Sequence, residues 1–163
     1  MKINTRVRYA IRMMADIARN GADGPVPLKD VARRQGLSKL YLSQLASPLR
    51  NSALLKSVWG NRGGYVLTRA PGEINIREIM EAVDGPVSVI DCVVEPEGCE
   101  RNEICESIFV WRDINNAITD ILEKHTLADL IELGEPEAPE GVACRPSLNQ
   151  PVQIDSKTAT GTD

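Results

Sequence analysis

Residues 28–69 read LKDVARRQGLSKLYLSQLASPLRNSALLKSVWGNRGGYVLTR, and this stretch decides the fold. Pro27 opens a short helix from Leu28 to Gln35, and Gly36 closes it. Ser38 is placed to cap a second helix in which Leu42 and Leu45 face inward, and Pro48 is expected to kink or stop it. Two helices around a tight glycine turn are the outline of a helix-turn-helix. Ala32 suits the close crossing, Gly36 the turn, and Val31, Leu37, Leu42 and Leu45 the shared core. An ordinary helical hairpin has the same pattern, so the next segment decides between them. Leu55 to Trp59 and Tyr65 to Arg69 read as short strands around Gly60, Asn61, Arg62, Gly63 and Gly64. A helix-turn-helix followed by a cationic hairpin is a winged helix, expected over residues 1–70. Such a unit puts its second helix in a major groove and its wing on backbone or minor groove.

Upstream, a helix is expected from Asn4 or Thr5 to about Arg19, with Val7, Ile11, Met14 and Ala18 on one buried stripe. Downstream, residues 71–91 hold a connecting helix and linker. Asn75 caps that helix, Glu78 completes a capping box, and Ile76, Ile79, Met80 and Val83 form its apolar face. Gly85 and Pro86 end it, and Pro86 to Asp91 is expected to run extended. Residues 92–105 form a cysteine loop, and residues 106–133 the longest helix plus a short last one. Ile104, Ile108, Trp111, Ile114, Ile118, Ile121 and Leu122 mark one broad apolar stripe there. A second copy of that helix is the natural cover, with packing inside the chain as the alternative. Residues 134–163, rich in Pro, Glu, Gly, Ser and Thr, are expected to be disordered. The fold class is therefore mainly α with a small β-wing: a winged helix-turn-helix plus a long C-terminal dimerisation helix.

The net charge of −4 conceals a strong asymmetry. Residues 1–77 carry fourteen Lys/Arg against four acids, a balance of +10, while residues 78–163 carry five against nineteen, a balance of −14. A basic half-chain attracts phosphate and gains free energy by releasing counterions. A solvated basic face with no polyanion partner is the bland alternative. No leader and no run near the roughly 18 apolar residues of a membrane span is visible. The expected setting is cytoplasmic, with no membrane partner. There, clustered thiols more often bind metal or sense redox state than form structural disulfides.

Cys92, Cys99 and Cys105 fall within fourteen residues, with six and then five between them; Cys144 stands apart and reads as a surplus thiol. Thiolates are soft donors suited to iron–sulfur clusters. Zinc is the rival, yet its sites usually pair ligands at C-x₂₋₄-C spacing, shorter than either gap. Three thiolates leave one iron of a cubane to another donor, for which Glu95, Glu97, Glu100, Glu103 and Glu106 are near in sequence. His125, the only histidine, is read as a C-terminal helix cap. It has no recognisable nucleophile beside it in sequence, so an enzyme is not expected. A small electron carrier fits poorly, because it needs no basic winged helix.

Several motifs together resemble a known family. They are Tyr9-Ala10, the helix-turn-helix through Gln44-Leu45, the wing from Ser57 to Tyr65, the segment Glu81 to Pro86, and the three-cysteine loop. The chain resembles, over about residues 1–133, the Rrf2 type of winged-helix bacterial transcription regulators, which includes the IscR, NsrR and RirA kinds. The resemblance implies a homodimer joined through the long helix and bound to a partly palindromic double-stranded DNA operator. It also implies an iron–sulfur cluster on Cys92, Cys99 and Cys105 whose state alters DNA affinity, although some members regulate without one. Thiol oxidation, zinc or a partner protein is the alternative signal.

Three departures stand out. Trp59 replaces the wing arginine of many relatives, leaving Arg62 as the cationic tip. Ser43 stands where the IscR kind has a glutamate that influences site choice. Ile108 replaces the IscR histidine and Arg8 the NsrR acid, so the cluster type, 2Fe-2S or 4Fe-4S, stays open. Expected DNA contacts are Ser38, Lys39, Tyr41, Ser43 and Gln44 in the groove, Lys39 and Arg50 on phosphate, Trp59 and Arg62 on the wing, and Arg6 and Arg8 on the first helix.

Overall fold

The computed structural model describes residues 3–60 and 62–133. The expected disordered tail with Cys144, and Asn61 of the wing, lie outside them. Helix α1 (Thr5–Asn20) begins where Asn4 accepts a hydrogen bond from the Val7 amide at 2.9 Å. The single stripe expected for α1 is too narrow. Tyr9, Ala10, Met13, Ala15, Asp16 and Ile17 are buried beside Val7 and Met14. The helix is buried on most sides because the other elements pack around it.

Helices α2 (Leu28–Gln35) and α3 (Lys39–Asn51) form the helix-turn-helix. Gly36 takes the left-handed conformation the turn needs (φ 64°), which glycine adopts without a Cβ penalty. Ser38 accepts a bond from the Tyr41 amide at 3.1 Å and starts α3. Pro48 does not stop the helix. A proline inside a helix costs about 3 kcal/mol. Leu45 and Leu49 flank it fully buried, and each is worth ~1.5–3 kcal/mol. Packing therefore carries α3 through Pro48 to Asn51.

Strands β1 (Leu55–Val58) and β2 (Gly64–Leu67) are antiparallel, with Leu55 opposite Leu67 and Val58 opposite Gly64. β1 stops one residue before the expected Trp59, while β2 starts one residue early at Gly64 and stops two before the expected Arg69. Val26 and Tyr65 exchange two backbone bonds of 2.9 Å, which tie β2 to the segment before α2. Gly64 is required at that junction, since a Cβ there would lie 2.5 Å from the Val26 carbonyl. The wing is thereby fixed to the helix pair.

Helix α4 (Ile76–Asp84) carries the expected Asn75–Glu78 capping box. The cysteine segment is not a plain loop. It comprises α5 (Asp91–Val94) and 3-10 turns at Pro96–Gly98 and Asn102–Ile104. Helices α6 (Ile108–Lys124) and α7 (Leu127–Glu132) follow, and Thr126 caps α7. His125 is the C-cap residue of α6, as expected, and its carbonyl accepts from the Ile76 amide at 2.9 Å.

The apolar stripe of α6 divides in two. Ile118 and Leu122 pack against the core, and Asn115 is buried on the same side. Val110, Ile114 and Ile121 stay exposed on a neighbouring face with Ala117. Their spacing of four, three and four is that of a helix seam.

Asp16 lies inside this framework, 1% exposed, and accepts bonds from Arg34 Nε and Nη2 and from Gln35 Nε2 at 2.6–3.2 Å. It pins the end of α2 to the central helix. The Arg34 side chain is 28% exposed, so removing the carboxylate costs its hydrogen bonds and does not strand a buried cation. Asp16→Ala should cost about 2 kcal/mol, read as a lower urea midpoint at unchanged slope, with Asp16→Asn losing less.

Candidate functional site

The basic half of the chain does not present all its cations outward. Arg12 bonds Gln35 and lies over the Tyr9 ring at 5.5 Å, and Arg19 bonds the Leu130 carbonyl at 2.8 Å. Arg34 pairs with Asp16, Arg69 with Glu78, and Arg77 with Glu81 and Glu123. The two Glu partners also hold the Arg77 guanidinium above its usual pKa. These arginines brace the fold. Arg6, Arg8, Lys39, Arg50, Lys56 and Arg62 are exposed. With exposed Lys29 and Arg33 of α2, they are the cations a phosphate backbone could meet.

On α3, Leu42, Leu45, Ala46 and Leu49 turn into the core. The opposite face carries Leu40, Ser43, Gln44 and Ser47, all exposed and spaced i, i+3, i+4, i+7. Ser38 and Lys39 precede them, also exposed. The Ser43 hydroxyl donates back to the Lys39 carbonyl at 3.0 Å. Tyr41 is half-buried, edge-on to Tyr9 with centroids 5.9 Å apart, so its ring serves packing first. Leu40 was absent from the sequence-derived set because an apolar residue in a helix is expected to face inward. Trp59 stands at the wing tip, 91% exposed, beside Gly60 at φ 131°. Arg62 is exposed next to it, and the Gly63 amide closes the turn on the Gly60 carbonyl at 2.9 Å.

The cysteine segment lies between α4 and α6, and one residue ties it together. Asn102 is 6% exposed. Its side-chain amide donates to the Cys92 carbonyl at 2.6 Å, its backbone N–H to the Cys99 carbonyl at 3.0 Å, and its carbonyl accepts from the Cys105 N–H at 3.4 Å. Arg112 of α6 donates to the same side chain at 3.5 Å, and Asn115 accepts from the Val89 amide at 3.0 Å. The loop is thus attached to α6 at both ends. Nothing in the sequence singled out Asn102, since an asparagine in a polar loop is ordinary until its burial is known.

All three thiols are free and half-buried. Among the described residues, no three His, Cys, Asp or Glu side chains converge as a ready-made metal site. The donor chemistry suits a cluster, while the cage is not preassembled. Cys105 has its pKa lowered chiefly by the Ser107 hydroxyl, 3.4 Å from its sulfur, which favours the thiolate. The nearby acids Glu95, Glu97, Glu100, Glu103 and Glu106 are exposed.

A helix-turn-helix, a braced wing and a cysteine segment joined to a long helix are now in place. A family described as "Iron-dependent Transcriptional regulator", Rrf2, matches residues 3–133. The chain belongs to the Rrf2 family. It is 41% identical over 131 residues to the HTH-type transcriptional regulator IscR of Erwinia tasmaniensis, covering 80% of this chain and 79% of that one. It is 40% identical over 131 residues to the protein of the same name from Pectobacterium carotovorum, with the same coverage. Among solved structures, CymR, "the Global Cysteine Regulator of B. subtilis", superposes with TM-score 0.67 at 36% identity, over 82% of this chain and 98% of that one. IscR of T. potens superposes with TM-score 0.64 at 34% identity, over 86% and 94%. The oxidized form of Staphylococcus aureus CymR gives 0.62 at 34%, over 81% and 97%. This Rrf2 protein is accordingly a DNA-binding transcriptional regulator of winged-helix fold, and not an enzyme. No helix among its described residues is long and apolar enough to cross a membrane.

A pH effect follows from Ser107. A depressed folded-state pKa keeps the Cys105 thiolate populated down to lower pH than an ordinary thiol. Ser107→Ala removes the largest cause of that shift. The pH midpoint of Cys105 alkylation, followed by mass spectrometry on metal-free protein, should move upward in the variant, slowing the reaction at neutral pH.

Proposed function

We propose that this regulator is a homodimer whose grip on a double-stranded DNA operator is gated by an iron–sulfur cluster held by Cys92, Cys99 and Cys105. The observation that carries the reading is the convergence of all three cysteine backbones on buried Asn102, itself in contact with α6. The cluster supplies inorganic iron and sulfide that thiolates bind strongly and that oxidants or chelators attack. This chain's residues do the rest. Gathering three thiolates to one point repositions the segment held by Asn102, and Arg112 passes that change to α6. Two winged heads joined through α6 must match a fixed half-site spacing, so a shift at α6 alters affinity without touching a base contact.

In the operator complex, Ser38, Ser43 and Gln44 face the groove from α3, while Lys39 and Arg50 hold phosphate. Tyr41 contributes from its half-buried place at the groove side. Trp59 and Arg62 bring the wing to the backbone or minor groove, and Arg6 and Arg8 approach from α1. The proposed setting is the cytoplasm, where reduced thiols are available for a cluster.

Anaerobic purification tests the gate. The expected protein is brown, contains iron and sulfide, and changes operator affinity at least tenfold when stripped. Colourless protein, or equal affinities of loaded and stripped forms on every operator tried, overturns it. A second reading is thiol-based signalling without a cluster. It is favoured by the likeness to CymR, described as a cysteine regulator and solved in an oxidized form, and by thiols that are not preassembled into a metal site. Colourless protein whose operator affinity responds to peroxide supports that reading.

The exposed seam of Val110, Ile114, Ala117 and Ile121 is the proposed dimer contact. Ile114→Asp with Ile121→Asp places charges where apolar surface should meet. Light scattering should then report a monomer with unchanged helical content and operator affinity reduced at least tenfold.

A further inference from the structure

Leu40 is 73% exposed, in the first turn of α3, whereas the other three leucines of that helix, Leu42, Leu45 and Leu49, are at most 1% exposed. A scattered exposed leucine is ordinary in itself. This one has a particular setting. It shares a face with Ser43, Gln44 and Ser47 and follows exposed Lys39; Arg50 at the end of the same helix and Lys56 and Arg62 of the wing that follows it are exposed too. Those charges select a polyanion, not an apolar protein, as the occupant. A helix docked by this face places its first-turn residues against base edges. Serine, lysine and glutamine there can exchange hydrogen bonds with bases or phosphates, but Leu40 cannot. The apolar feature that the natural bases present in the major groove is the C5-methyl of thymine.

We propose that Leu40 is a specificity-determining residue that reads a thymine methyl in the operator. The inference rests on the DNA-binding reading of α3 and adds the base preference at one position. Desolvating one methyl against Leu40 is worth a factor of about four in affinity, from ~0.8 kcal/mol per buried carbon group. The loss should be local to one base position, because a methyl contact has no reach beyond its own base pair. Exposed cations instead weaken binding to all sequences alike when removed.

The test uses the full chain, purified anaerobically, and a duplex it enriches from a random-sequence pool. Each thymine of that duplex is replaced in turn by deoxyuridine, which keeps every hydrogen-bonding group and lacks only the methyl. For the unaltered protein, at least one replacement should weaken binding about fourfold. Leu40→Ala, which preserves helix propensity, should bind the thymine and deoxyuridine duplexes equally, with a circular dichroism spectrum like that of the parent. Leu40→Ser should do the same, a second check that the aliphatic side chain carries the effect. An enriched duplex indifferent to every replacement overturns the inference and leaves the DNA-binding reading intact. The same holds if Leu40→Ala keeps the full methyl discrimination, or changes the oligomeric state without DNA. Failure to enrich any duplex overturns the operator reading of α3 and this inference with it.

Discussion

The burial of α1 is the constraint on which the rest depends. Met13, Met14, Ile17 and Val7 are sealed from solvent, and α2, α3, α4, α7 and β2 pack against this one helix. A helix covered on most sides cannot shift without opening several interfaces at once, because packed interiors have few voids to absorb movement. The Asp16 carboxylate adds direction to that packing. It is buried in the C-terminal half of α1 and bound by Arg34 and Gln35, so the turn leading into α3 has one orientation. The wing follows from the same base through the Val26–Tyr65 bonds. The helix-turn-helix and the wing are therefore fixed at their root, while Leu40 and Trp59 stand exposed at their surface.

The remainder of the chain is built differently. From Asp91 to Ile104 the backbone advances in single helical turns, and side chains from only a few residues bind it to the body. Asn102 is the main one. A segment held by a small number of hydrogen bonds can rearrange at modest cost, since each contributes about 1 kcal/mol net. A fixed winged-helix head and a lightly tethered sulfur segment attached to α6 are the two parts the proposed gate would couple. The exposed seam on α6 lies beside Arg112 and Asn115, the residues that tether the cysteine segment.

Much of this was legible beforehand. Capping residues gave helix starts at Asn4, Ser38 and Asn75 because a cap is a local bond between a side chain and an amide a few residues on. Gly36 and the glycine-rich wing were equally local signals. The errors came where long-range packing outweighed local preference. Of the kink or stop expected at Pro48, the stop does not occur, because buried leucines flank it. The stripe on α6 proved to be two seams because half of it serves the chain's own core. The count of cations overstated the free ones, since Arg12, Arg19, Arg34, Arg69 and Arg77 are bound internally.

The sequence by itself determined the order of elements, the kind of head and the presence of three clustered thiols, because these depend on residue type and spacing along the chain. Only the tertiary structure decided which side chains stand free. It turned Leu40 outward and Leu42 inward, buried Asn102 among the cysteine backbones, and left Trp59 open at the tip. Exposure is a property of neighbours brought from far along the chain, and spacing within one helix cannot report them.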